Sequence, residues 1–324
     1  MDIKGYDALI MITPADFQRL RVHHRRMVEL MPARRVYFVG SLAVGKLLGE
    51  EAQDGVFKDI EDRVGFINEN DILRYDDVKA LWENLKEEYK VDQTKKAVPV
   101  GWYYQQFLKF AYARFCDDDY YLVWDGDTVP CRSFSMFDNS GKPCLDYKRE
   151  CFEEYFVTIR NLLGMGKLIQ PSFVSEHMLF KCDVVKDLLD EITNNKNIKG
   201  SVWWEKILYT VRPEKLFDNS FSEFETYGTY VAAKEPDAYR LREWHSLRYA
   251  ALFYEVDELT DRDWAWLGRD FFAVSFEKNM HVRDDTRGLF NNPRYQEKLS
   301  ARQVLEIAQE EFEKEALKEV WDIP

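Results

Sequence analysis

Short apolar runs and longer amphipathic segments alternate along the N-terminal part of the chain. The runs from Tyr6 to Ile12 and from Arg34 to Gly40 have the length and composition of buried strands. Between them, Ala15 to Met31 has the apolar spacing and charge of an amphipathic helix. This alternation predicts an α/β fold, with a mostly parallel central sheet flanked by helices.

The same pattern continues into the middle of the chain. Val64 to Asp71 is a candidate third strand, and Asp76 to Tyr89 has a helical period with an acidic first turn. Tyr103 to Phe115 is a candidate helix that leads into a strand over Tyr120 to Asp127, whose β-branched and aromatic residues suit a central position. A hairpin is predicted around residues 138–141, because these residue types tolerate the positive φ of tight turns.

The second half of the chain contains further periodic segments. The predicted elements are helices over 151–163, 183–192 and 203–211, a strand-like segment over 173–180, a helix starting after Ser222, strand material over 264–276 and a glutamate-rich helix over 300–321. No repeat, low-complexity linker or break in composition divides the chain. The sequence therefore predicts one domain.

Composition excludes several classes of protein. The 324 residues carry a net charge of −13, and an acidic excess argues against a nucleic acid or an anionic membrane surface as the main partner. Five cysteines without a CxxC pair indicate neither a zinc site nor a disulfide framework. Because no apolar stretch reaches the ~20 residues of a membrane span, we expect a cytoplasmic protein. Peripheral membrane association and the oligomeric state stay open.

The segment Asp125-Gly126-Asp127 directly follows the apolar strand that starts at Tyr120. Ligands of open α/β sheets gather at the carboxyl ends of the strands. Side chains two positions apart on an extended segment point the same way, so both carboxylates can approach one hard cation such as Mg²⁺ or Mn²⁺. A solvated acidic turn is the alternative interpretation.

Four segments together carry a family resemblance. GWYYQQFLKF, WDGDT, SEHMLF and SEFETYG, in this order, resemble motifs of a largely uncharacterised group of bacterial glycosyltransferases in the GT-A superfamily. The resemblance runs over most of residues 5–285 and implies a GT-A nucleotide-diphospho-sugar transferase fold. It places a nucleotide-binding half at about 1–132, an acceptor half at about 133–290 and a C-terminal helix at about 298–324 of a single domain.

The resemblance also implies roles for individual residues at a metal site. Asp125 and Asp127 correspond to the DxD carboxylates, with Asp127 the direct metal ligand and Asp125 nearer the ribose of the sugar nucleotide. A late histidine is the third ligand in such enzymes, and His281 occupies that place here. A surface histidine in a polar loop is the alternative.

Further candidates for donor binding lie on one helix and three loops. Gln106 and Lys109 share a helix face, from which Lys109 can meet a phosphate. Thr13 and Asp71 follow predicted strands, at positions where nucleotide-binding sheets bind the base and the ribose. Arg283 can close over the diphosphate. Core packing, turn chemistry and a solvated loop explain the same residues without a ligand.

Two acidic residues are candidates for the catalytic groups of the acceptor side. Ser222 is a predicted N-cap that places Glu223 in the first turn of a helix, where a general base of an inverting transfer is commonly found. Glu176 ends a strand-like segment and is expected to bind hydroxyl groups. Helix capping or a buried hydrogen bond is the alternative for both.

The sequence thus predicts a metal-dependent glycosyltransferase that moves a sugar from a nucleotide diphosphate, UDP favoured, to a glycan acceptor in surface polysaccharide synthesis. Inversion is favoured and retention stays open. One alternative is a catalytically silent carbohydrate-binding protein that uses its tryptophans. The other is a metal-dependent phosphoryl-transfer enzyme, which would need several further carboxylates near Asp125 and Asp127. Residues 117–119 are acidic, but they precede the strand and are expected at its opposite end.

Overall fold

The structure is a computed structural model, and it describes residues 5–90, 99–149, 152–216, 218–282 and 288–312. Its strands are β1 (Asp7–Met11), β2 (Val36–Gly40), β3 (Val64–Asn68), β4 (Tyr120–Asp125), β5 (Thr128–Pro130), β6 (Cys144–Tyr147), β7 (His177–Lys181), β8 (Arg240–Glu243), β9 (Ser246–Leu247) and β10 (Ala273–Ser275). Its helices are α1 (Pro14–Leu20), α2 (His24–Leu30), α3 (Leu42–Gln53), α4 (Glu69–Ile72), α5 (Tyr75–Tyr89), α6 (Val100–Ala111), α7 (Glu153–Leu163), α8 (Cys182–Asn194), α9 (Trp203–Thr210), α10 (Glu223–Lys234), α11 (Asp261–Leu267), α12 (Pro293–Lys298) and α13 (Ala301–Phe312).

The central sheet has five strands in the order β3-β2-β1-β4-β7. The first four are parallel, and β7 pairs antiparallel with β4. The prediction of an α/β fold with a mostly parallel central sheet is therefore confirmed. Because Met11 pairs with Asp125, the carboxyl ends of β1 and β4 lie side by side.

Alternate residues of the central strands enter two hydrophobic clusters, one on each face of the sheet. On β4, Tyr121 and Val123 pack with the cluster that contains α6, α8 and α10. Leu122 and Trp124 pack with the cluster that contains α1, α2 and α11. Both faces of β4 are buried, which explains why its sequence is apolar at almost every position.

Two small sheets accompany the central sheet. One has the order β5-β10-β9 and the other pairs β6 with β8. The predicted turn before β6 is confirmed, since the Asp138 amide donates to the Lys142 carbonyl at 2.8 Å. Gly141 has the positive φ of 82° that such a turn requires.

Two element predictions need correction, and one element was missed. The helix predicted over Ala15 to Met31 is interrupted by a 3-10 turn between α1 and α2. The strand material predicted from Trp264 begins as helix α11, because Thr260 and Asp263 form a capping box at its start. Helix α3 follows β2 and was not predicted.

The predicted start of α10 is confirmed. The Ser222 side chain accepts a hydrogen bond from the Glu225 amide at 3.2 Å, so Ser222 is the N-cap. The C-terminal helix is present as α13, and the part of its predicted range beyond Phe312 lies outside the described residues. No helix within the described ranges is long and apolar enough to cross a membrane.

Candidate active site

The Asp125-Gly126-Asp127 turn lies in the wall of a cavity of about 900 Å³. The cavity opens at the carboxyl ends of β1, β2 and β4, where the parallel strands end together. A volume of this size falls within the range of ligand pockets, roughly 300–1,000 Å³. Its polar lining residues are Thr13, Asp16, Ser41, Glu69, Gln105, Asp125, Asp127, Lys278 and Asn279.

Backbone hydrogen bonds from two other segments hold this turn in place. The Asp125 amide donates to the Glu176 carbonyl at 2.9 Å, and the Asp127 carbonyl accepts from the Phe276 amide at 2.9 Å. The Trp124 indole donates to the Thr128 carbonyl at 2.7 Å, which closes the turn on the other side. The two carboxylates are therefore presented by a fixed backbone.

Gly126 is required by the close approach of β1. A Cβ at this position would lie 2.4 Å from the Met11 carbonyl oxygen and 3.0 Å from the Ile12 Cβ. Both neighbours belong to the buried end of β1 and cannot move aside cheaply. Glycine thus allows two carboxylates to project where three strand ends converge.

The electrostatics of Asp127 favour a cation. Burial raises the pKa of this carboxyl to about 7, and the nearby carboxylates of Asp125 and Glu277 add to the increase. Asp125 and Asp127 offer hard oxygen donors, the ligands that Mg²⁺ and Mn²⁺ prefer. A divalent cation fits this pair because it would compensate charges that now oppose each other.

The structure does not bring His281 to these two carboxylates. Its side chain is exposed and lines a separate cavity of about 440 Å³, together with Arg19 and Glu277. Within the described residues, no three histidine, cysteine or acidic side chains are grouped closely enough to hold a metal ion.

Lys109 joins the turn to α10. Its ammonium donates to Asp125 Oδ1 at 2.6 Å and to Glu223 Oε1 at 2.5 Å, and its side chain is only 2% exposed. Burial by itself would lower the pKa of Lys109, but the two carboxylates raise it above its usual value. Lys109 was expected to meet a phosphate, and it is instead enclosed between these carboxylates.

Gln106 supports the same junction. Its side-chain oxygen accepts from the Glu223 amide at 3.1 Å, and its amide nitrogen donates to the Trp102 carbonyl at 3.1 Å. Gln106 therefore caps the start of α10, while the neighbouring Gln105 lines the cavity. Gln106 was predicted to bind the sugar nucleotide, and the structure places Gln105, not Gln106, in the cavity wall.

Glu223 has the environment of a basic carboxylate. Burial raises its pKa, the charge of Asp125 raises it further, and the Lys109 ammonium opposes the increase. A carboxylate with a raised pKa accepts a proton more readily than an exposed one. The bonds from Lys109 and Gln106 fix the orientation of Glu223.

Glu176 adopts a positive φ of 61°, which is uncommon for a residue other than glycine. Its carboxylate pairs with the Lys148 ammonium and accepts from the Ser246 hydroxyl at 3.0 Å. Although burial would raise the pKa of Glu176, Lys148 and Arg248 hold it below its usual value. Glu176 thus stays ionised next to the backbone of Asp125.

The remaining predicted donor-site residues are dispersed. Thr13 lines the cavity, and its hydroxyl caps α1 and donates to Asp16 at 2.7 Å. Asp71 is exposed on α4 and lies outside the lining, which takes Glu69 from the same helix. Arg283 lies outside the described residues.

Sequence reasoning missed part of the cavity wall. Tyr75, Trp102 and Tyr104 supply an aromatic side, with the rings of Tyr75 and Tyr104 5.1 Å apart. Lys278 and Asn279 supply polar groups opposite the strand ends. Lys278 and Asn279 could have been predicted from the sequence, because they follow β10 as Asp125 and Asp127 follow the apolar part of β4.

Comparisons with known proteins add the following findings. A sequence profile described as a family of unknown function (DUF6492) matches residues 54–309. No curated protein matches the chain.

Several solved structures of glycosyltransferases are similar in fold to the chain. Mouse xyloside xylosyltransferase 1 is 14% identical, with a TM-score of 0.41 over 86% of this chain and 99% of that one. The galactosyltransferase LgtC, in complex with donor and acceptor sugar analogues, is 10% identical, with a TM-score of 0.40 over 94% and 95%. GlyE of Streptococcus pneumoniae TIGR4 is 9% identical, with a TM-score of 0.38 over 95% and 64%. Similarity at this level does not by itself assign an activity to the chain.

Proposed function

The chain belongs to the family of unknown function DUF6492, and we propose that it is a metal-dependent glycosyltransferase. Its donor is a nucleotide-diphosphate sugar, with UDP the favoured nucleotide, and its acceptor is a glycan that is extended during surface polysaccharide synthesis. The large cavity at the strand ends is the donor site. Its aromatic side would receive the base, and the Asp125-Gly126-Asp127 turn would face the diphosphate.

One observation carries this proposal. Two carboxylates project from a fixed turn into a cavity large enough for a sugar nucleotide, at the carboxyl ends of parallel strands. The carboxylates of Asp125 and Glu277 act on Asp127, whereas the Lys109 ammonium pairs with Asp125. Asp125 and Asp127 would hold a divalent cation, which when bound neutralises the departing diphosphate.

For an inverting transfer the proposed general base is Glu223, a buried carboxylate that Lys109 joins to Asp125 in the cavity wall. Glu223 would take the proton of the acceptor hydroxyl while that oxygen bonds to the anomeric carbon and the bond from this carbon to the diphosphate breaks. Lys109 keeps Asp125 and Glu223 at a fixed separation, which favours the reacting geometry.

The test is turnover with a panel of sugar nucleotides. The purified protein is incubated with UDP-, GDP- and CMP-linked sugars, with and without Mn²⁺, and free nucleotide is measured with and without glycan acceptors. We expect metal-dependent release of nucleotide from one donor class. Asp127→Asn should lower this rate by about a hundredfold or more, because it removes a charged ligand of the metal.

Asp117→Asn is the matched control for this experiment. Asp117 is exposed and precedes β4, so the same chemical change is made at the opposite end of the strand. The control should keep the wild-type rate. Release that does not depend on metal, or equal rates in both variants, would contradict the proposal.

A further inference from the structure

A second cavity, of about 340 Å³, lies where the ends of β6 and β8, the short strand β9 and the first turn of α13 come together. We call it the basic cavity. Its charged lining consists of Lys148, Arg149, Arg248 and Arg302 against one carboxylate, Glu243. An excess of cations at one depression is unexpected in a chain with a net charge of −13.

The ion pairs leave part of this positive charge available. Arg149 lies 3.3 Å from Glu243, and its side chain is 86% exposed. Arg302 is exposed and has no ion-pair partner among the residues that the structure describes, while its backbone amide is held by Asp270 at 2.8 Å. The bond to Asp270 thus anchors the start of α13, and the guanidinium group of Arg302 can reach a ligand.

A histidine lies in the same lining as these basic side chains. Burial is the largest cause that lowers the pKa of His245, the charge of Arg302 lowers it further, and the carboxylate of Glu243 opposes the decrease. The Arg302 guanidinium therefore acts on groups inside the cavity.

The basic cavity adjoins the candidate active site through two carboxylates. Glu176 pairs with Lys148 and accepts from Ser246, and its backbone carbonyl holds the Asp125 amide. Arg248 donates to Glu277 at 2.6 Å, in the segment whose Phe276 amide holds Asp127. The two segments that hold the Asp125-Gly126-Asp127 turn thus also contact residues that line the basic cavity.

The shape of the cavity decides what kind of anion it fits. Lys148 is only 9% exposed, so a ligand must enter the depression to reach its ammonium group. Trp244, Tyr249 and Phe271 provide aromatic walls beside the charged groups. Apolar walls with a few placed polar groups are typical of sites for small molecules.

From these contacts we propose that the basic cavity binds an oxyanion on the acceptor sugar, so that the acceptor is an anionic glycan. This inference rests on the proposed glycosyl transfer and specifies its substrate class. Arginine pairs with phosphate and carboxylate oxygens through two parallel hydrogen bonds, and both ligands present this chemistry. Arg302, which has no ion-pair partner among the described residues, and Arg149, which is paired with Glu243, supply the guanidinium groups. The deeper Lys148 is compensated by Glu176.

The test is direct binding without metal or nucleotide, so that it does not depend on the donor site. Inorganic phosphate, glucuronate and neutral glucose are titrated calorimetrically at low ionic strength into wild type, Arg302→Gln and Arg149→Gln. We expect one or both anions, but not glucose, to bind the wild type. Each variant should bind about tenfold more weakly, the loss expected for one charge-assisted contact. Binding of phosphate alone would indicate a phosphorylated acceptor, and binding of glucuronate alone a sugar acid.

Arg160→Gln is the matched control, because Arg160 is exposed on α7 and lines neither cavity. It should bind the anions as the wild type does. Absence of binding, or equal binding in Arg302→Gln and wild type, would overturn the inference. So would binding to anionic phospholipid vesicles through Arg302 without binding of either soluble anion.

A separate titration with UDP, GDP and CMP, each with Mn²⁺, distinguishes the two proposals. If one of these nucleotides binds while both anions do not, the acceptor inference fails and the donor site stands. If the anions bind through Arg302 while none of the three nucleotides binds with Mn²⁺, the glycosyltransferase proposal fails.

Discussion

At Asp127, burial and neighbouring carboxylates act on one side chain. They raise its pKa from 3.8 to about 7 in the folded protein. Between these two values the folded state keeps a proton that the unfolded state has lost. The metal-free protein therefore loses stability as the pH rises from about 4 to about 7, and below that window the effect disappears.

The loss of stability with rising pH gives a prediction for Asp127→Asn. Without metal at pH 8, the variant should be more stable than the wild type by on the order of 2 kcal/mol, with solvent screening limiting the gain. The difference should vanish near pH 4, where the aspartate is protonated in both states. Urea unfolding in the presence of a chelator measures it. A wild type as stable as the variant at pH 8 would contradict this account of the site.

At the scale of elements, Lys109 joins helices α6 and α10 to the end of β4. Its removal leaves the carboxylates of Asp125 and Glu223 facing each other without a cation. Lys109→Met should lower the free energy of unfolding at pH 7 by about 3 kcal/mol, because one partner of a buried ion pair is lost. Chemical denaturation of the two proteins provides the measurement.

A double variant separates charge from packing at this junction. In Lys109→Met with Glu223→Gln, one of the uncompensated charges is absent, so part of the stability should return. If the double variant is destabilised by the sum of the two single effects, Lys109 acts through packing alone.

Elements that are specified by adjacent residues could be predicted from the sequence, and contacts between distant residues could not. β4 and the cap of α10 at Ser222 were predicted, because apolar runs and N-caps are encoded by adjacent residues. The segment from Trp264 was mistaken for strand, since its aromatic residues also suit a helix that packs on the core. The bond from Lys109 to Glu223 spans 114 positions and has no local signal.

At the scale of the whole molecule, the chain has two cavities whose charged linings differ. Carboxylates dominate the charge near the turn in the cavity at the strand ends, and arginines dominate the basic cavity. The sequence located the acidic turn correctly at a strand end. It did not indicate the basic cavity, whose basic residues follow β6 and β9 or lie in α13 and meet only in the folded chain.

The central claim is a metal-dependent nucleotide site at Asp125 and Asp127. Its most direct test is calorimetric titration of UDP, GDP and CMP, with and without Mn²⁺, into wild type, Asp127→Asn and the Asp117→Asn control. The account predicts Mn²⁺-dependent binding of one nucleotide to wild type and control, and its loss in Asp127→Asn. Absence of nucleotide binding, or binding that needs neither Mn²⁺ nor Asp127, would contradict it.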